Sequence, residues 1–226
     1  QRRDLVANIS HDLRTPLATL QGYLETLAMK EKRLTPDERH EYVQIAISHC
    51  SRLKKLISEL FELARLEAHD ARIQSEPANL AELVQDVLLK FRLAAGKKKV
   101  ELLVTGSRSL PLVRADIALM ERVFENLIAN ALEHSEAGGK VQVRLLHREQ
   151  AVVVEVTDSG PGIPEDELPH IFDRYFQSHR SRQDKSDHHG LGLAISKQIL
   201  GLHGAIIHVA TGTDKGTTFS FSLPTA

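Results

Sequence analysis

From Leu5 onward, apolar side chains recur at Leu5, Ile9, Leu13, Leu17, Leu20, Leu24 and Leu27, in steps of three or four. That spacing puts them on one stripe of a helix, which the pattern carries to about Lys32. The segment RLTPDE follows, where Thr35 can cap a second helix and Pro36 can take its first position. A second stripe then runs through Ile45 or Ala46, Cys50, Leu53, Ile57, Leu60 and Ala64, in coiled-coil steps of four and three. Helices of ~30 residues span ~45 Å, and two joined by a short turn form an antiparallel hairpin. Alone, such a hairpin exposes its apolar seam. Pairing of two chains into a four-helix bundle is therefore expected; a hairpin packed on its own carboxy-terminal half is the alternative.

Over 67–80 the periodicity lapses and polar residues with Pro77 intervene, as in an interdomain linker. The pattern then predicts a helix from Leu80 to about Ala95, a strand over Val100–Val104 and a helix from Asp116 to His134. Val141, Val143 and Leu145, then Val152, Val154 and Val156, alternate as half-buried strands do. A Gly/Pro turn and a polar segment lead to a helix over Leu191–Leu202, followed by strands in AIIHVAT and TTFSFSL. The fold class is α+β: a two-helix hairpin, then an α/β sandwich with helices on one face of a mixed sheet. The expected division is 1–69 for the hairpin, 70–76 for the linker and 77–226 for the sandwich.

Composition narrows the function classes. The 29 basic and 30 acidic residues nearly balance, which argues against nucleic acid as a partner. The single cysteine, Cys50, rules out an internal disulfide framework and a cysteine zinc site, and reads as a small buried thiol in a reducing compartment. No apolar run approaches the ~18 residues that a membrane span needs, so no membrane contact is expected within these residues. Because Gln1 falls within the first helical pattern, the chain is expected to be a portion of a longer protein.

Candidate chemistry concentrates in the second half. On the helix over 116–134, Ile117, Met120, Phe124, Leu127 and Ala131 form the core stripe, while Asn126, Asn130 and His134 recur one turn apart on another face. Asparagine is a mediocre helix former, but its amide oxygen can hold Mg²⁺ while phosphates fill other octahedral positions. In DSGPGI, Asp158 ends a buried strand just before Gly160 and Gly162 and can accept from an exocyclic amine such as that of adenine. Guanine would set acceptor against acceptor. Gly190 and Gly192 open an amphipathic helix whose free N–H groups suit phosphate. Neither a Walker loop nor a G-x-G-x-x-G fingerprint is present.

In order and spacing, Asn126/Asn130, DSGPGI, IFDRYF, GLGLA and KGTTFSFSLP resemble the N, G1, F, G2 and G3 boxes of the GHKL ATP-binding domain. SHDLRTPL resembles the H-box of sensor histidine kinases, so the resemblance covers essentially the whole chain. It implies ATP-dependent autophosphorylation of His11, then phosphotransfer to an aspartate of a response regulator receiver domain. A homodimer formed through the hairpin and a cytoplasmic location are also implied, with a membrane anchor or further domains in the full-length protein. Asp12 matches the family's acidic residue that binds the imidazole and acts as base. Thr15 matches the threonine that aligns water for dephosphorylating the regulator, which makes regulator phosphatase activity a further expectation. Contacts to ATP carry over to Asn126, Asn130, His134, Asp158, Gly160, Gly162, Ile163, Tyr175, Phe176, Gly190, Leu191, Gly192, Leu193, Thr217 and Thr218, with Asn130 as the Mg²⁺ ligand. The segment from about Arg174 to His189 would be the ATP lid.

ATP-hydrolysing GHKL proteins of gyrase or chaperone type carry a glutamate four residues before the metal-binding asparagine. Asn126 occupies that position, and Glu125 points about 100° away on the helix, so transfer to histidine is preferred. Three positions depart from the kinase pattern: Glu133 replaces a common lysine, Gln177 a basic residue, and His188 a glycine. They motivate the alternative of a weak or inactive kinase acting as phosphatase or interaction scaffold. His188-His189 lacks a third ligand at fixed spacing, which argues against metal binding by the lid histidines.

Pro16 is the misfit of the first helix. It lacks an N–H, and its ring clashes with the carbonyl of Asp12, so it favours a bend at the turn holding His11, Asp12 and Thr15. A bend there would let helix deformation gate access to His11. Pro16→Ala is expected to change the autokinase rate, the phosphatase rate, or both; two unchanged rates would dismiss the gate.

Overall fold

The computed structural model describes residues 2–29, 33–68, 73–107, 109–178, 190–212 and 216–226, and only the backbone of residues 2–15. Two long helices, α1 (Arg2–Met29) and α2 (Pro36–Glu67), turn about a capping box. Thr35 Oγ1 accepts from the Glu38 N–H at 3.2 Å, the Glu38 carboxylate accepts the Thr35 N–H at 2.8 Å, and Pro36 begins the helix. Tyr23 and Tyr42 meet edge to face with centroids 5.3 Å apart, setting the antiparallel register. α1 runs unbroken through Pro16.

α2 buries Ala46, as expected, but beyond it the buried stripe is offset from the expected one. Leu56, Glu59, Leu63 and Leu66 are buried, whereas Cys50, Ile57 and Ala64 are exposed and Leu53 and Leu60 half-buried. Leu56, Leu63 and Leu66 join the core of the carboxy-terminal domain, because α2 packs on its last helix. Cys50 falls outside that contact and is therefore an exposed thiol. The hairpin still presents Leu17, Leu24, Val43, Ile47 and Phe61 to solvent, so α2 carries two apolar faces.

The remaining elements are β1 (Glu76–Ala78), α3 (Leu80–Lys98), β2 (Glu101–Gly106), β3 (Val113–Ala115), α4 (Ile117–His134), β4 (Lys140–Arg148), β5 (Ala151–Asp158), α5 (Gly192–Leu202), β6 (His208–Thr211) and β7 (Thr217–Pro224). The main sheet has the order β2-β4-β5-β7-β6; β2 and β4 are parallel and the other pairs antiparallel. β1 and β3 form a separate two-stranded ribbon, with Glu76, at the end of the expected linker, opposite Ala115. α4 lies between α3 and α5 and packs on β4 and β5.

Inward positions alternate along the strands: Val141, Val143 and Leu145 on β4, Val152, Val154 and Val156 on β5, Phe219, Phe221 and Leu223 on β7. Against them α4 buries Met120, Val123, Phe124, Leu127, Ile128 and Ala131. Ile117, expected in that stripe, is 39% exposed at the first position of the helix. Asp116 caps α4 by accepting the Leu119 N–H at 3.2 Å.

Candidate functional site

Along β5 the inward positions continue from Val152, Val154 and Val156 to Asp158. The pleat thus puts a carboxylate, 4% exposed, where a fourth apolar side chain would sit. Its Oδ1 accepts the Gly160 N–H at 2.8 Å and the Thr217 N–H at 3.2 Å, joining the loop after β5 to the start of β7. Both bonds fall on Oδ1, which leaves Oδ2 for a donor in the cavity beyond. Burial raises the Asp158 pKa; the N–H groups of Gly160 and Thr217 and the nearby His134 act in the opposite sense.

Close backbone approach makes this geometry possible. Gly216 has φ +74°, and a Cβ there would lie 1.9 Å from the Asp158 carbonyl oxygen. The Ile163 N–H donates to Thr211 Oγ1 at 2.8 Å, tying the same loop to β6. Gly190, at φ +69°, crosses the chain at Tyr175 and Phe176, where a Cβ would lie 2.4 Å from the Phe176 carbonyl oxygen. The Tyr175 N–H donates to the Gly190 carbonyl at 3.0 Å, with Tyr175 itself at φ +63°. The described ends of the expected lid are thereby held together; residues 179–189, including His188, lie outside the described residues.

These elements enclose a cavity of about 1080 Å³. α4 contributes Arg122, Asn126, Asn130 and His134, one turn apart on a single face. Asp158, Gly162, Ile163 and Thr217 form one end, Phe176, Gly190, Gly192 and Leu193 another wall, and Lys55 and Glu59 enter from α2. Asn126 Nδ2 donates to the Gly192 carbonyl at 3.0 Å and to Ser196 Oγ at 3.2 Å, so its amide anchors the start of α5. Asn130 is half-buried, and its amide has no hydrogen-bond partner among the described residues.

Four of the expected nucleotide contacts do not line the cavity. Gly160 is buried beneath it, holding Asp158; Tyr175 supports Gly190; Leu191 is fully buried in the core. Thr218 points to the opposite face of the sheet, with its Oγ1 2.9 Å from that of Thr157, because side chains alternate along β7. The side chains of His11, Asp12 and Thr15 lie outside the described residues.

Several residues escaped the sequence reading. Gly216 was visible as a glycine before an inward threonine, and Arg122 as the residue one turn before Asn126. Thr211, Ser196 and Glu59 gave no local signal, since their partners are 48, 70 and 63 residues away.

Residues 1–69 match the family model of the His Kinase A (phospho-acceptor) domain, and residues 115–226 that of the histidine kinase-, DNA gyrase B- and HSP90-like ATPases. Sensor histidine kinase WalK of Bacillus subtilis is 31% identical over 233 residues, covering 99% of this chain and 37% of WalK. Sensor protein SrrB of Staphylococcus aureus is 32% identical over 224 residues, covering 99% of this chain and 38% of SrrB. The chain belongs to the sensor histidine kinases. It spans a little over a third of the length of these two sensor kinases. The solved histidine kinase ThkA, in complex with response regulator protein TrrA, superposes with a TM-score of 0.80 at 25% identity, covering 99% of this chain and 61% of that one. No helix among the described residues of this histidine kinase is long and apolar enough to cross a membrane.

The raised pKa of Asp158 sets a sign for stability. A carboxyl whose pKa is higher folded than unfolded contributes stability that is complete below its unfolded pKa and is lost as pH rises through the folded one. Asparagine keeps an Oδ1 for both N–H groups and removes the buried charge. Asp158→Asn, without nucleotide, is therefore predicted to melt at or above the wild-type temperature at pH 7, the difference narrowing on acidification. A variant that melts lower at pH 7 would show that the charge itself holds the loop.

Proposed function

We propose that this chain transfers the γ-phosphoryl group of ATP to His11 and then to an aspartate of a response regulator receiver domain. The observation that carries the reading is Asp158: a buried carboxylate with one oxygen committed to the fold and the other left to a ligand donor, in the same chain as a phospho-acceptor domain. Adenine offers its exocyclic amine to Oδ2, whereas guanine offers a carbonyl there. The start of α5, with Gly190 and Gly192 at the cavity wall, supplies N–H groups for phosphate. The half-buried Asn130 amide, without a partner among the described residues, fits Mg²⁺, a hard cation that takes neutral oxygen donors and keeps phosphate and water in its other positions. Bound there, Mg²⁺ would neutralise charge developing on the leaving ADP.

Positioning carries most of such a reaction. The His11 imidazole forms an N–P bond as the bond from phosphorus to the ADP oxygen breaks, and Asp12 receives the ring proton. In the second step the N–P bond breaks and an aspartyl phosphate forms on the regulator. Thr15, one turn from His11, orients water for removing that phosphate later. The exposed apolar side of the hairpin, including Leu17, Leu24, Val43 and Ile47, supports a homodimer through a four-helix bundle. The cytoplasm is the compartment that suits this chemistry, with the whole protein anchored in a membrane or joined to other domains.

Glu125, the nearest candidate base for direct hydrolysis, accepts from Lys90 at 2.8 Å and lies 4.0 Å from Arg122, which favours transfer to histidine over hydrolysis. A second reading, a weak or inactive kinase serving as phosphatase or scaffold, is favoured by Glu133 and Gln177. Both line the cavity, an anion and a neutral amide where cations would help phosphate.

Incubation with γ-labelled ATP and Mg²⁺ is predicted to give an acid-labile label that His11→Gln abolishes. Thr15→Ala should keep the label and lose regulator dephosphorylation. ATP binding without any label would instead establish the scaffold reading.

A further inference from the structure

Arg122 begins the α4 face that lines the cavity, at the end opposite His134 and Asp158. Its guanidinium leaves its own domain: Nε donates to Glu62 Oε2 at 3.0 Å and Nη2 to Glu59 Oε1 at 3.5 Å, both on α2. Glu59 is 5% exposed and replaces an apolar residue in the stripe between Leu56 and Leu63. Lys55 lies 4.0 Å from the same oxygen of Glu59 and also lines the cavity. Burial raises the Glu59 pKa; Lys55 and Arg122 oppose the shift. A charged residue in an apolar stripe weakens packing there unless its partner is fixed, so the stripe selects one placement of Arg122.

A second set of contacts lies nearer the linker. Arg174 pairs with Glu67, and Gln198 Nε2 donates to the Leu66 carbonyl at 3.1 Å. Along α2 this is ~12 Å from Glu59 at the helical rise. Together with Leu56, Leu63 and Leu66 these contacts seat the domain on α2 through a largely non-directional apolar surface, and the Arg122 bridge adds directional hydrogen bonds to that seat.

The level of the bridge matters for the reaction. The Tyr23 and Tyr42 contact sets the hairpin register, and equal counts along the two helices bring His11 level with Lys54. Lys55 is the next residue, and Glu59 lies ~8 Å farther along the axis than Lys54. In a two-fold bundle both subunits share that level, so the same placement serves transfer within or between chains.

We propose that the bridge from Arg122 to Glu59 and Glu62 is a positioning contact for phosphoryl transfer, turning the phosphate end of the cavity toward the level of His11. The inference rests on the kinase reading above. Without the bridge the domain is left on its apolar seat and its linker-side contacts, free to turn, and His11 meets the γ-phosphate as a tethered group rather than an oriented one. Tethering by a short flexible segment gives effective concentrations of about millimolar, far below those of oriented groups.

The test uses the full chain and measures the autophosphorylation rate at saturating ATP together with the ATP dissociation constant. Arg122→Ala should slow labelling about tenfold or more, since each tenfold is about 1.4 kcal/mol of barrier, and leave ATP affinity within about twofold. Glu62→Arg combined with Arg122→Glu should label faster than Arg122→Glu alone. Labelling that is unchanged or faster in Arg122→Ala, a loss explained wholly by weaker ATP binding, or no recovery in the exchanged pair would each overturn the positioning role. Absence of label on the wild-type chain would overturn the kinase reading as well; label on the wild type that ignores Arg122 would overturn the bridge alone.

Discussion

A carboxylate on the inner face of a sheet must be compensated, and here one oxygen of Asp158 meets two backbone N–H groups from separate segments. Those bonds draw the loop after β5 and the first residue of β7 into one corner. The corner closes only because Gly216 carries no Cβ against the Asp158 carbonyl. Once it is closed, the second carboxylate oxygen becomes a polar feature at the end of a cavity lined by α4 and the start of α5. The energetic burden of the buried charge, visible in its raised pKa, is what a ligand donor would relieve.

The two halves of the chain are joined by a different kind of contact. Leu56, Leu63 and Leu66 give α2 an apolar purchase on the ATP-binding domain, while Arg122, Glu59 and Glu62 give that purchase an angle. Apolar burial is non-directional; a hydrogen-bonded guanidinium is not. An apolar pivot with a charged, breakable stay can hold one orientation of the domain and still release it.

Elements with long periodicity were legible in the sequence. The helical period of α1, the core stripe of α4 beyond Ile117, the alternation in β4, β5 and β7, and the capping by Thr35 and Pro36 all follow from local pattern. The three-residue strands β1 and β3 were not, since a strand that short carries no alternation. Periodicity also left open which surface covers which stripe on α2, and so missed the burial of Glu59 and the exposure of Cys50. Within KGTTFSFSLP the motif marked Thr217 and Thr218 together, yet the pleat sends only Thr217 to the cavity. Asn126 was legible as a site residue, but its bond to the Gly192 carbonyl depends on two helices meeting 66 residues apart.

On this reading Asp158 makes the cavity an adenine site by offering a free acceptor, Oδ2, in a buried corner. Calorimetric titration of the chain with ATP and with GTP, each with Mg²⁺, tests it most directly. ATP should bind, and affinity for GTP should be lower by about 100-fold or more, because a buried acceptor left facing a carbonyl costs several kcal/mol. Comparable affinities for the two nucleotides would contradict it.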